Sequence, residues 1–191
     1  MNQVDRLSGL PQDSIIGKSF GKADYTDTFK VPVYNCQDYS IDYLTALFFT
    51  SVPAWINSLL SLRHLLGKLI GLHGGAVRNF KEPDQSLRYE IGSKAVLFKV
   101  YDRNDAEIVM ADNDKHLNFR TSLFLERVKD KDHGYLYSST IVHYNNIFGR
   151  IYFFPVKPFH QLIIKTMLKV ESKKLNRNQQ LVPLLNRTHH E

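Results

Sequence analysis

His116 stands between Asp114 and Arg120, a setting that would suit a general base or a polar hook for a ligand. On a strand, however, period-two geometry gives the interior to Leu117 and Phe119, which leaves His116 at the rim opposite the apolar face. His143 and His160 invite a metal site. Neither has a paired carboxylate or a cysteine at ligand spacing, and no HExxH motif occurs, so no metal is expected. If the chain does proton-transfer chemistry, His116 and His160 are the candidate bases. Arg150 and Tyr152, just before the last predicted helix, could take a carboxylate or phosphate where backbone N–H groups converge, or form a plain structural anchor. Cys36 is the single cysteine: an intramolecular disulfide is impossible, a reducing compartment is the simple reading, and no neighbouring pattern makes it a nucleophile.

The elements that must position these side chains follow from periodicity. Residues 1–22 read as an irregular lead-in, and alternation then gives a half-buried strand over about 24–34. In it Phe29, Val31 and Val33 face one way, and Pro32 predicts an edge or strand-end position. Asp38 or Ser40 caps a short helix carrying Ile41, Leu44 and Phe48. A second helix is expected from Pro53, with Trp55, Leu59, Leu62, Leu66 and Leu69 as its apolar stripe. Tyr43 to Leu62 contains no charged residue and is long enough to span a bilayer, but its hydroxyl and amide side chains and Pro53 favour two helices of a globular domain.

A weak strand is expected at 87–91. Four strong β-runs follow between 94 and 144, separated by short polar turns, which predicts an antiparallel meander. The inward sets are Val96, Phe98 and Val100, and then Leu117, Phe119, Leu123 and Leu125. A final helix over 156–174 carries Phe159, Ile163, Met167 and Val170, with Pro155 and Pro158 marking its start and a flexible tail over 175–191 after it. The fold class is therefore α+β: a curved antiparallel sheet wrapped around a long C-terminal helix, two helices inserted after the first strand, and one domain over 23–174.

Asp114-Lys115-His116-Leu117-Asn118-Phe119-Arg120, Pro53-Ala54-Trp55, and Asn146 to Tyr152 followed by Pro158-Phe159-His160 resemble the bacterial family called domain of unknown function 2867. The resemblance runs from about residue 24 to 172. It implies the helix-grip fold of the START and Bet v 1-like superfamily, whose members often hold apolar ligands. It also implies a link to dehydrogenase-like nucleotide-binding domains, behind which the family occurs in longer proteins. Gly71-Leu72-His73-Gly74-Gly75 does not match a GxGxxG fingerprint, so no dinucleotide cofactor is expected here.

The reading that follows is a cytoplasmic binding module for a small apolar or amphipathic molecule. The ligand would be held between sheet and last helix, lined by Phe98, Met110, Phe119, Leu123 and Tyr152 and narrowed by Trp55. The alternatives are an enzyme using a cavity histidine, and an interaction module docking on a nucleotide-binding partner. The net charge of +6 is dispersed among acids and frames no nucleic-acid motif, and no signal peptide or membrane span is expected.

Overall fold

The computed structural model describes residues 3–51, 86–96 and 98–185, with 177–185 as backbone alone. Its elements are β1 (Asp5–Leu7), β2 (Tyr25–Tyr34), α1 (Ile41–Thr50), β3 (Lys94–Ala95), β4 (Phe98–Arg103), β5 (Glu107–Asn113), β6 (Leu117–Arg127), β7 (His133–Tyr144) and α2 (Ile147–Leu185). Among the described residues the strands form one curved sheet in the order β1-β2-β7-β6-β5-β4-β3, every pair antiparallel. The meander expected from the turn spacing is therefore present. The second inserted helix, Trp55 and the Gly71–Gly75 run lie outside the described residues.

Turn chemistry fixes the registers. Asn104 closes the β4–β5 hairpin by accepting from the backbone N–H groups of Ala106 and Glu107 at 2.8 and 2.7 Å. A bulge in β4 skips Tyr101, so Asp102 pairs with Val109 and Arg103 with Ile108. The extra residue turns Arg103 to the inner face, where it meets Asp42 of α1. Ser40 caps α1 by accepting from the Tyr43 N–H at 3.1 Å. Every residue of that helix from Ile41 to Phe49 is buried, rather than a single stripe.

Several sequence expectations differ from the structure. The segment 87–91 is not a strand: Asp42 takes the Tyr89 N–H at 2.7 Å, so a helix side chain rather than a sheet holds it. Val96 is not part of the β4 alternation; its φ of 57° places it in the β3–β4 connection. The final helix starts at Ile147, not after Pro155, because Asn146 Oδ1 accepts from the N–H groups of Phe148 and Gly149 and caps it there. Pro155 and Pro158 therefore lie inside the helix. The carbonyls they leave unpaired belong to Ile151 and Phe154, both exposed, where water can take them. Phe159 faces outward, 47% exposed, while Ile163 packs at the core margin and Met167 is buried. The buried stripe of α2 is instead Phe153, Ile164, Met167, Leu168 and Leu175. The helix continues past 174 to Leu185, through residues read from sequence as tail.

Two layers result. On the inner face of the sheet, α2 lies along β2 and β7, and α1 lies against β5, β6 and α2. On the outer face, Ile16 in a short 3-10 turn (Ile15–Lys18) packs on Val109 and Ile141, with Leu10, Ile15 and Phe20 around it. The lead-in thus supplies both an edge strand and a cover. β1 pairs only with Thr28 to Lys30, so Pro32 lies past its end, where a missing N–H costs no ladder bond on that side.

Candidate functional site

Strand alternation sends Tyr25, Asp27, Phe29, Val31 and Val33 of β2 to the inner face, and all five are buried. One is an aspartate in an otherwise apolar or aromatic row. Across the sheet Asp27 pairs with Thr140, Thr140 with Thr121, and Thr121 with Met110, which puts a polar belt of three residues on the face covered by α2. The next row pairs Phe29, Ser138, Leu123 and Ile108. Helical spacing does the same on the opposing wall: His160 and Glu171 fall on the buried stripe with Ile164, Met167 and Leu175. They are three turns, roughly 16 Å, apart on one side of the helix.

At the first pole His160 Nε2 stands 3.6 Å from Asp27 Oδ2, within ion-pair reach but too long for a hydrogen bond. The Tyr25 hydroxyl donates to Asp27 Oδ2 at 2.5 Å and accepts from Gln161 Nε2 at 2.9 Å. Burial first, then Asp27, pushes the Tyr25 pKa well above the ordinary tyrosine range, so the phenol remains a donor. Asp27 Oδ1 and His160 Nε2 are buried with no hydrogen-bond partner among the described residues. At the second pole both Glu171 oxygens are buried and equally without partner; Ser138 Oγ, in the row next to Asp27, is a further buried atom without one. Burial raises the Glu171 pKa well above the carboxylate range, against the opposing charge of Lys174.

Native interiors satisfy nearly all buried polar atoms, and each exception calls for a cause. Thr45 Oγ1, Ser93 Oγ, Arg120 Nε, Ser122 Oγ and His143 Nδ1 lie elsewhere, but five of the ten such atoms among the described residues stand on two facing walls. They present acceptors, a histidine nitrogen and a hydroxyl to anything seated between sheet and helix, while Met110, Leu123, Phe29 and Met167 supply apolar contact.

The residues singled out from sequence divide sharply. Phe98, Met110, Phe119 and Leu123 do lie on the inner face; Met110 and Leu123 are fully buried in the main core, and Phe98 stacks edge-on against Phe119 at 5.1 Å. Tyr152 sits with Tyr25, Leu117, Val142 and Phe153 in a satellite cluster at the start of α2. Arg150 is exposed over the Tyr144 ring, and Asn146 already occupies the helix N-terminus, so the anion site imagined there is filled by the chain itself. His116 does not join the interior. Its ring lies 3.2 Å from Asn146 Oδ1 and against Phe148, outside the sheet–helix layer. His143 pairs with Asp24 at 3.1 Å. Among the described residues no three His, Cys, Asp or Glu side chains gather as a metal site. Cys36 is fully buried, and burial pushes its thiol pKa up, away from reactivity.

Asp27, Tyr25 and Glu171 escaped the sequence reading, although each had a signal. Asp27 and Tyr25 share the parity of Phe29, and Glu171 lies four residues after Met167 on the same stripe.

These features define an α+β protein with a partly polar layer between its sheet and its C-terminal helix. The chain belongs to the family described as Protein of unknown function (DUF2867), whose model matches residues 19–167. No curated protein and no solved structure matches the chain.

Proposed function

We propose that this protein is a helix-grip binding module that holds a small amphipathic molecule between the sheet and α2. The carrying observation is the set of buried, unpartnered atoms at Asp27, His160, Ser138 and Glu171, all on the two walls of that layer. Leaving such a group unpaired costs about 1–3 kcal/mol each, which a ligand bearing a hydroxyl, amine or protonated acid would recover. The apolar side chains of Phe98, Met110, Phe119 and Leu123 suit the rest of that ligand, with Tyr152 as further lining. Native mass spectrometry of the purified protein, followed by solvent extraction, tests the proposal. A co-purifying small molecule, depleted in Asp27→Asn and Glu171→Gln, is expected; a packed interior with no bound species contradicts it.

One observation favours a second reading. His160 faces the interior beside Asp27, with the Tyr25 donor on the same carboxylate, an arrangement able to move a proton on a bound molecule. The extracted species separates the two readings. Binding alone leaves the same molecule in wild type and His160→Gln, whereas turnover leaves product in the first and substrate in the second.

A further inference from the structure

The side of α2 turned away from the sheet has a composition that the interior site does not explain. Ile147, Ile151, Phe154 and Leu162 recur at helical spacing along it, flanked by Phe148 and Phe159, and all six are exposed; Ile151 is 62% and Phe154 81% accessible. The ridge spans roughly 23 Å of helix from Ile147 to Leu162. Exposed Lys169 continues the same face, while Arg150, Lys157 and Lys165, also exposed, border it on the sheet side, their cations reaching over the Tyr144, Tyr25 and Phe29 rings at 5.7, 5.0 and 5.2 Å. From Ile147 to Val170 the helix contains no acidic residue at all.

We infer that this ridge docks on an anionic lipid surface. Large apolar side chains on one face of a helix, with lysine and arginine around them and no acid among them, fit the plane of a bilayer interface: the rings and branched chains enter the acyl boundary and the cations meet phosphate. No helix of the described residues is long and apolar enough to cross a membrane, so the contact is lateral. The two carbonyls freed by Pro155 and Pro158 keep it shallow, at headgroup depth, because in hydrocarbon they would have no partner. Charge argues against a second copy as the occupant, since two such ridges would bring cations together with no carboxylate between them. The inference stands apart from the interior site, because none of the six apolar ridge side chains belongs to it; only Lys157 and Lys165 reach its rings, at Tyr25 and Phe29.

Co-sedimentation of the full chain with vesicles tests it. Vesicles of phosphatidylcholine mixed with phosphatidylglycerol should bind the protein, and added salt should weaken the binding. The paired variants Ile151→Ser with Phe154→Ser, and Lys165→Gln with Lys169→Gln, should each weaken it by about tenfold or more. All four positions are exposed, so circular dichroism should confirm an unchanged fold. Failure to bind the mixed vesicles overturns the inference. So does undiminished binding of either paired variant, or a dimer by light scattering that Phe154→Ser disperses, which would assign the ridge to self-association.

Discussion

Glu107 and Glu171 are both fully buried, on opposite sides of one sheet, and the chain treats them differently. On the outer face the Glu107 carboxyl accepts from Ser14 Oγ at 2.7 Å and from the Ile15 N–H at 2.6 Å. The lead-in segment thus delivers two donors to one acid. On the inner face neither Glu171 oxygen has a partner among the described residues. Asp42 and Asp27 repeat the contrast. Asp42 receives a two-point clamp from Arg103 at 2.8 and 2.9 Å and the Tyr89 N–H as well, whereas Asp27 is left with one orphan oxygen beside His160. The fold clearly can satisfy a buried carboxyl by bending a loop or a strand toward it. Where it has not done so, a requirement other than stability is the simplest physical account.

The contrast predicts different responses to the same kind of change. Asp42→Ala strands the Arg103 guanidinium in a buried site and should destabilise the protein by about 3–5 kcal/mol in chemical denaturation. A double variant with Arg103→Leu should recover much of that loss, and no recovery would mean the clamp contributes only packing. Glu107→Gln turns one accepted bond into an N–H facing a donor and should cost about 1–3 kcal/mol, with Ser14 and Ile15 gaining faster amide exchange. An unchanged midpoint would erase the distinction between the two faces.

A third effect is the pH response. Because burial raises the Glu171 pKa, the native state keeps a proton that the unfolded chain releases above about pH 4.3. Stability from this residue is therefore highest in acid and falls as pH rises toward the folded value, by up to about 1.4 kcal/mol per unit. Urea midpoints across that range should show a decline in wild type that is absent in Glu171→Gln. A flat wild-type profile would mean that Glu171 finds a partner in solution.

Much of the architecture was legible because it rests on local signals. Polar turns at Asn104, Asp114 and Lys129–Asp132 set the meander, Ser40 announces α1, and alternation puts Phe119, Leu123 and Leu125 on one face. What escaped has equally physical reasons. The outer cover rests on Ile16, in a segment with no periodicity to read. The start of α2 was displaced because two prolines look like a boundary, while the Asn146 cap upstream is a single residue. An unbroken apolar stripe would put Phe159 inward; the true inner stripe passes through His160 and Glu171, and polar residues hide a stripe from any hydrophobic pattern. The candidate site was missed for the same reason. Its members are the polar exceptions in buried rows, and only pairing across the sheet and helix brings them together.

The most direct test is the unfolding free energy of Glu171→Gln against wild type, both stripped of small molecules by solvent extraction and refolding, at pH 7.5. If Glu171 is an uncompensated acid kept for a ligand, the variant is the more stable by about 1–3 kcal/mol while losing the co-purifying species. A variant less stable than wild type would show that the fold itself uses this carboxyl, and the ligand account of the inner layer would fail.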